Sequence, residues 1–168
     1  LRANGLLVLR KRRFVRTTDS RHGFGYAPNR IKDESILRTD QVWVSDITYL
    51  KTQEGFCYLA LTMDLYSRKI LGYDVNDTLE MVGAQRALKM AQGVALKTNG
   101  TIHHSDRGSQ YASPRYIALL KKKGMLNSMS KAGDCYENAA AERLNGILKQ
   151  DYGLGLTFES KEMAVKAV

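Results

Sequence analysis

The chain has 168 residues, of which 43% are apolar and 26% are charged, and its formal net charge is +9. This length allows one globular domain with a sizeable core and is short for two domains of ordinary size. We expect a soluble intracellular protein, because no apolar run approaches the roughly 20 residues of a membrane-spanning helix and no signal peptide is evident. Cys57 and Cys135 match neither a disulfide framework nor a zinc knuckle, and we interpret them as inert thiols.

The positive charge is concentrated near the N-terminus. Residues 1–32 contain nine Lys or Arg residues and one acidic residue, whereas the remainder is close to neutral. The basic run consists of Arg10, Lys11, Arg12 and Arg13. Such a run is typical of segments that contact nucleic acid phosphates, and we predict that it binds DNA. The alternative is a solvated basic tail without a partner.

Residues 1–40 are predicted to form a basic arm and a linker, because residues 17–40 contain Gly23, Gly25, Pro28 and mixed charge and show no sustained period. The folded domain is expected to begin near Gln41 and to run through residue 168. Its first three segments are rich in β-branched, aromatic and apolar residues, which predicts three antiparallel strands over 41–51, 56–65 and 68–75.

The second half alternates helical and strand patterns. Residues 79–95 predict an amphipathic helix, with apolar residues at 79, 82, 87, 90 and 91. The remaining predictions are a strand over 101–105, a helix from Ser113-Pro114 to 123, a strand over 125–130, a helix over 137–150 capped by Asp134 and Glu137, and a helical pattern over 158–168. This order indicates an α/β, ribonuclease-H-like fold.

Three acidic residues occupy positions suited to metal chemistry. Asp46 lies within the strand-like sequence WVSDITY, and Asp106 ends a strand and is followed closely by Gly108. Glu142 lies on the last predicted helix, with 35 residues between it and Asp106. A charged aspartate within an apolar strand is more often functional than incidental. Taken singly, Asp106 is equally well an ordinary turn residue, and Glu142 on an alanine-rich helix is more often a solvated surface residue.

In combination, these motifs resemble the Asp-Asp-Glu triad of bacterial transposases of the insertion-sequence-three family, which are related to retroviral integrases. The similarity is closest to the second-frame protein and extends from about Ala27 to the end of the chain. It implies a mixed five-stranded sheet flanked by helices, with Asp46, Asp106 and Glu142 as catalytic residues and metal ligands. It also implies two Mg²⁺ or Mn²⁺ ions, which suit convergent carboxylates.

The resemblance carries further expectations about activity and partners. Water would hydrolyse the end of the element, and the freed 3′-hydroxyl would attack target DNA without a covalent protein intermediate. The expected partners are element ends, target DNA and further copies of the chain on DNA, in the bacterial cytoplasm at the nucleoid and without a membrane. The arm would be the tail of an upstream helix-turn-helix region, and the core would be truncated at its C-terminus.

Other acidic residues and histidines compete for roles at the site. A turn at residues 52–55 places Asp64 opposite Trp43, roughly 10 Å along the strand from Asp46, so Asp64 is left out. Asp74 remains a reserve candidate near the edge of the site. His104 shares the strand face of Asp106, and it either orients a carboxylate or water or is purely structural. No set of Cys and His residues at zinc-ligand spacing is present.

Four further residues are predicted to contact DNA. Lys149 lies seven residues after Glu142, nearly two helical turns, so both side chains share one face. The resembled family often carries a basic residue at this place. Asn145 lies on nearly the same face, and Gln110 and Tyr111 follow Asp106 closely, although they equally well only cap the next turn.

Two rival functions remain. An RNA–DNA hybrid nuclease would use the same fold and metals but would never join a 3′-hydroxyl to DNA. A DNA-binding module with a basic arm would carry these acids for structural reasons and would bind DNA without regard to magnesium.

Overall fold

A computed structural model of the protein describes residues 22–95, 97–131 and 139–168. The elements, in chain order, are β1 (Val42–Thr52), β2 (Gly55–Asp64), β3 (Ile70–Asn76), α1 (Met81–Val94), β4 (Ile102–Ser105), α2 (Ser109–Ala112), α3 (Pro114–Lys122), β5 (Leu126–Met129), α4 (Ala139–Gln150), β6 (Thr157–Phe158) and α5 (Lys161–Lys166). The basic arm and the predicted cap of the last long helix lie outside the described residues.

The strands form one mixed sheet in the order β3-β2-β1-β4-β5, and β6 pairs with the far end of β1. The first three strands are antiparallel, whereas β1, β4 and β5 are parallel. The predicted hairpin register is confirmed, because Asp46 pairs with Leu61 and Trp43 pairs with Asp64. Among the described residues the sheet has six strands and not the expected five, and its mixed order with flanking helices confirms the predicted α/β, ribonuclease-H-like fold.

Alternate residues of β1 and β2 point into two separate cores. On one face, Trp43 and Ile47 pack against α1 and α3. On the other face, Leu50 and Leu61 belong to a cluster that includes Ala164 and is bordered by α4. Neighbouring residues of one strand therefore lie in different environments, which decides what surrounds each carboxylate of the site.

Helix α1 packs more closely on the sheet than its apolar pattern predicts. A Cβ atom at Gly72 of β3 would overlap the backbone carbonyl of Ala87, so only glycine fits there. The buried residues of the helix are correspondingly small, apart from one leucine: Gly83, Ala84, Ala87, Leu88 and Ala91. Val82 and Met90, which the pattern placed on the buried face, are 38% and 46% exposed. That part of the prediction is wrong, because close approach favours alanine over larger residues.

Three further expectations about local structure need correction. Residues 22–31 have no helix or strand, as expected of a linker, but they contact the domain: the backbone N–H of Arg30 donates to Ser128 Oγ at 2.9 Å. The short helix α2 was not predicted. The C-terminal helical pattern is divided into β6 and α5.

In the part of the chain that the structure describes, none of the helices has the length and apolar character needed to cross a membrane.

Candidate active site

Asp46 and Asp106 lie beside each other at neighbouring parallel strands. Strand β1 pairs with β4 so that Val44 is opposite His104; Asp46 follows two residues later within β1, and Asp106 follows two residues after His104, directly after the end of β4. Residues two apart on a strand share a face, so both carboxylates lie on the face opposite to α1. The fold thus brings together two residues that are separated by 60 positions in the sequence.

The environment of Asp46 disfavours its charge. Burial, followed by the negative charge of Asp106 and a smaller effect of Glu142, raises the pKa of Asp46 to about 7. Hydrogen bonds from the backbone of Ile47 and from Asn145 act in the opposite direction but are outweighed. Within the described residues, burial and the neighbouring acids therefore favour the protonated form of Asp46 more than water does.

A tight turn fixes the carboxylate of Asp106. The backbone N–H of Gly108 donates to Asp106 Oδ1 at 2.9 Å. A Cβ atom at Gly108 would lie 2.8 Å from Gln110 Oε1 and 3.0 Å from Asp106 Oδ1. Both distances are shorter than a carbon–oxygen contact tolerates, so this turn needs glycine.

Glu142 lies in the first turn of α4, on the helix that packs beside β1, and its side chain is exposed. Its charge contributes to the raised pKa of Asp46, which places it within electrostatic reach of the aspartates. Among the described residues, no group of three or more His, Cys, Asp or Glu side chains lies close enough together to hold a metal ion. The structure thus pairs the two aspartates and leaves Glu142 further out.

Asn145, one turn after Glu142, contacts Asp46 directly. Its amide Nδ2 donates to Asp46 Oδ2 at 2.6 Å. Its Oδ1 is buried and has no hydrogen-bond partner among the described residues. The sequence predicted that Asn145 shares the face of Glu142, but it did not predict this hydrogen bond. The helical spacing was the only available signal.

Lys149 also points toward β1. Its ammonium group lies 4.1 Å from the ring centre of Tyr49, a cation–π contact. Burial and the nearby charge of Lys51 lower the pKa of Lys149, whereas Asp46 opposes this effect. The lysine is therefore a partly buried cation near the site, and its predicted contact with DNA stays a prediction.

The positions of Gln110 and Tyr111 argue against their predicted contact with DNA. The two residues are only 6% and 3% exposed. Gln110 Nε2 donates to the carbonyl of Leu79 at 2.8 Å, and the ring of Tyr111 packs edge-on against Tyr116. Both side chains are buried because α2 directs them into the core that α1 and α3 cover.

The competing acids lie elsewhere. Asp64 is buried and organises the turn after β2, because Oδ1 accepts from the backbone N–H and the hydroxyl of Ser67 at 2.7 Å each. Asp74 pairs with Ala60, which itself pairs with Ile47, so it faces α1 and not Asp46. This geometry agrees with the exclusion of Asp64 from the site. It disagrees with the reserve role of Asp74.

His104 is fully buried, and its Nδ1 lies 2.9 Å from Ser128 Oγ. This contact is compatible with the structural alternative, and orientation of a carboxylate or water by His104 stays a prediction. Arg107 is a residue whose contacts at the site the sequence did not reveal. Its Nε donates to the carbonyl of Ser130 at 2.9 Å, and its guanidinium stacks on Tyr26. Only its position directly after Asp106 gave a signal.

Comparison with solved structures places this fold among integrase cores. The chain resembles the catalytic core domain of HTLV-2 integrase in complex with magnesium (trimeric form), with 18% identity and a TM-score of 0.59 over 78% of this chain and 84% of that chain. It also resembles a chain of the simian T-cell lymphotropic virus intasome in complex with the B56 gamma subunit of PP2A, with 19% identity and a TM-score of 0.61 over 80% of this chain and 46% of that chain. The class is therefore that of ribonuclease-H-like integrase folds.

The profile of the integrase core domain matches residues 37–135, and the chain belongs to that family. It is 40% identical over 146 residues to the transposase for insertion sequence IS629 of Shigella sonnei, which covers 86% of this chain and 49% of the relative. It is 36% identical over 164 residues to transposase InsF of IS3A from Escherichia coli K12, which covers 97% of this chain and 57% of the relative. The predicted resemblance is confirmed, and the chain spans about half the length of these relatives.

Proposed function

We propose that this chain is the catalytic core of an insertion-sequence transposase, a polynucleotidyl transferase that cleaves DNA at element ends and joins the freed 3′-hydroxyl to target DNA. The observation that carries the proposal is the placement of Asp46, within β1, beside Asp106, directly after the end of the adjacent parallel strand β4. Similarity to transposases of IS629 and IS3A supports the same reaction class.

We propose Mg²⁺ or Mn²⁺ as the cofactor, with two ions bound by Asp46, Asp106 and Glu142. The donor set fits hard cations, because the carboxylates of Asp46 and Asp106 lie on one face and the buried Oδ1 of Asn145 is a further oxygen without a partner among the described residues. When bound, such ions would stabilise the charge that develops on the phosphoryl oxygens. The HTLV-2 integrase core was determined in complex with magnesium, which supports the choice.

The roles of the protein groups follow from their positions. Asp46 and Asp106 would fix the cations on the sheet, and the Asn145 amide holds one oxygen of Asp46 in place. Glu142 would contribute from α4, and Lys149 would bind a phosphate beside the site. The basic run from Arg10 to Arg13 lies outside the described residues, and its charge alone supports the proposal that it binds the DNA backbone.

We propose that the partners are element-end DNA, target DNA and further copies of this chain. An element has two ends, and we propose that more than one copy of the chain acts on them. Solved HTLV-2 integrase cores are described as dimeric and trimeric, which supports self-association of this class. The bacterial nucleoid is the corresponding place of action.

Strand transfer tests the proposed function. A labelled, pre-cleaved element end is incubated with the protein and plasmid DNA, with Mg²⁺, with Mn²⁺ or with EDTA. We expect joined products only with metal, and none from Asp106→Asn. Cleavage of RNA–DNA hybrids without any joining would instead identify a hybrid nuclease. DNA binding that is indifferent to metal, without cleavage under any condition, would identify a binding module.

A further inference from the structure

Arg107 directly follows Asp106 and is held at three points. Its Nε donates to the carbonyl of Ser130 at 2.9 Å, and its guanidinium carbon lies 4.7 Å from the ring centre of Tyr26. Its own backbone carbonyl lies 2.9 Å from His22 Nε2. A carbonyl can only accept, so His22 Nε2 carries the hydrogen, which agrees with His22 Nδ1 accepting from the backbone N–H of Phe24.

The same N-terminal segment, residues 22–30, reaches the other side of the Asp106 turn. The backbone N–H of Arg30 donates to Ser128 Oγ at 2.9 Å, and Arg30 Nε donates to the carbonyl of Asn127 at 3.1 Å. Ser128 Oγ also lies 2.9 Å from Nδ1 of His104, two residues before Asp106. Contacts from one segment thus reach both flanks of Asp106.

The orientation of Asp106 depends on the backbone that these contacts hold. The hydrogen bond from Gly108 N–H to Asp106 Oδ1 spans Arg107, so it persists only while the peptide groups on both sides of Arg107 keep their orientation. We propose that Arg107 is a positioning residue for Asp106, and that residues 22–30 belong to the catalytic core as the element that fixes it. The catalytic consequence rests on the proposed function, whereas the structural consequence does not.

A different role for Arg107 would be direct contact with a DNA phosphate. The two roles separate in variants that keep the charge of Arg107 but remove its supports, namely Tyr26→Ala and His22→Ala. A positioning role predicts that these variants lose catalytic rate, while the affinity for DNA and its dependence on salt stay unchanged. A phosphate contact predicts weaker binding to DNA and a flatter dependence on salt, with the catalytic rate unchanged.

Amide hydrogen exchange of the metal-free chain, followed by NMR, measures the structural part. We expect Gly108 N–H to exchange about ten-fold faster in Tyr26→Ala and His22→Ala, while the amide of Leu59 in β2 stays as protected as in the parent. Tyr26→Phe keeps the ring and should restore protection. Tyr66→Ala, the same change at an exposed tyrosine after β2, is the control and should leave Gly108 unaffected. Unchanged exchange at Gly108 overturns the proposal, and so does equal acceleration at Leu59.

Strand transfer by the same variants, with Mg²⁺, measures the catalytic part. We expect kcat to fall about ten-fold or more in Tyr26→Ala, His22→Ala and Arg107→Lys, with KM for DNA within about two-fold of the parent. A raised KM with a flatter salt dependence at unchanged kcat would overturn the positioning role. If the parent joins no DNA but Gly108 responds as expected, the proposed function fails while the structural assignment stands.

Discussion

The two faces of strands β1 and β4 treat their polar residues in opposite ways. On the face toward α1 and α3, Ser45 Oγ lies 2.8 Å from Thr62 Oγ1, and His103 Nε2 lies 2.9 Å from Ser45 Oγ and 3.0 Å from the hydroxyl of Tyr116. All four residues are buried. Burial lowers the pKa of His103 to about 3, so this network stays neutral at physiological pH.

The opposite face carries Asp46, one residue after Ser45, and Asp106, three residues after His103. There, burial and mutual repulsion raise the pKa of Asp46, and Asn145 is the side chain that donates to it. On the first face neutral groups pair with one another, although His103 Nδ1 has no hydrogen-bond partner among the described residues, whereas the second face keeps a charge that costs stability. The comparison indicates that the second set is retained for chemistry, and substitutions on the two faces should separate stability from activity.

Neutralising the acidic face should have the largest effect. We expect Asp46→Asn, Asp106→Asn and Glu142→Gln each to lower cleavage and strand transfer by about a thousand-fold or more, because loss of a ligand removes several kcal/mol of transition-state stabilisation. Combined changes should cost little more than single ones. Rates with Mg²⁺ and Mn²⁺, together with circular dichroism to check the fold, are the measurements.

Two control variants accompany this prediction. Asp74→Asn neutralises an acid on the opposite face and should leave activity within a few-fold of the parent. Asp64→Asn should lower stability by about 1–3 kcal/mol, because the buried carboxylate accepts three hydrogen bonds, and it should remain active below its melting temperature. Inactive, folded Asp64→Asn beside active Asp106→Asn would refute the assignment of the acids.

The pH dependence of stability should differ between the faces. Folded Asp46 has a pKa of about 7 against an ordinary value of 3.8, so the folded state binds more protons between these values, and stability falls as pH rises through them. His103 acts oppositely, because its lowered pKa destabilises the fold as pH falls below about 6.5.

The difference between the parent and Asp46→Asn isolates the carboxylate. In EDTA we expect the variant to be more stable by about 1–2 kcal/mol at pH 8, with the gap closing toward pH 5. Urea unfolding across this range is the measurement. A gap that widens toward acidic pH would show that the charge of Asp46 stabilises the fold.

Loss of a hydroxyl on the neutral face should affect stability alone. Tyr116→Phe removes one hydrogen bond to His103 Nε2, which still has Ser45 as a partner. We expect a loss of about 1 kcal/mol in the free energy of unfolding and strand transfer within two-fold of the parent. Thermal melting and the transfer assay would decide, and a large loss of activity would mean that the two faces are coupled.

Lys149→Ala should have the smallest effect on stability. The cation–π contact with Tyr49 is worth about 0.5–1 kcal/mol at a partly exposed site. We expect strand transfer to fall about ten-fold, by more than the loss of stability explains, because a cation beside the site would bind a phosphate. Lys149→Arg should recover most of this activity. A parallel loss of melting temperature and activity would instead make Lys149 structural.

The sequence was sufficient for features that depend on short-range patterns. The turn at 52–55 determined the hairpin register and thereby excluded Asp64, and the order of Asp46, Asp106 and Glu142 indicated the family. Features that depend on tertiary packing were not accessible. Because α1 packs closely against Gly72, small residues of that helix are buried in place of the larger apolar residues that the pattern predicted. The burial of Tyr111 depends on a four-residue helix, which is too short to show a period.

The contacts of residues 22–30 were missed for a related reason. A segment without regular structure has no periodic signal. Its hydrogen bonds to the rest of the domain are made with residues 85 to 98 positions away in the sequence. The hydrogen bond from Asn145 to Asp46 likewise links residues 99 positions apart. Such pairings follow from the finished fold and not from any local preference.

The contact of Arg30 with β5 also bears on how the protein behaves when it is shortened. Strand β5 is at the edge of the sheet, and Arg30 Nε donates a hydrogen bond to the carbonyl of Asn127 on that edge. An unprotected edge invites strand addition by another molecule and hence aggregation. A chain shortened to begin at Gln41 would keep every strand and all three acids, yet it would expose this edge. Poor solubility of such a fragment would result from the loss of the contact between Arg30 and strand β5 and not from a defective core.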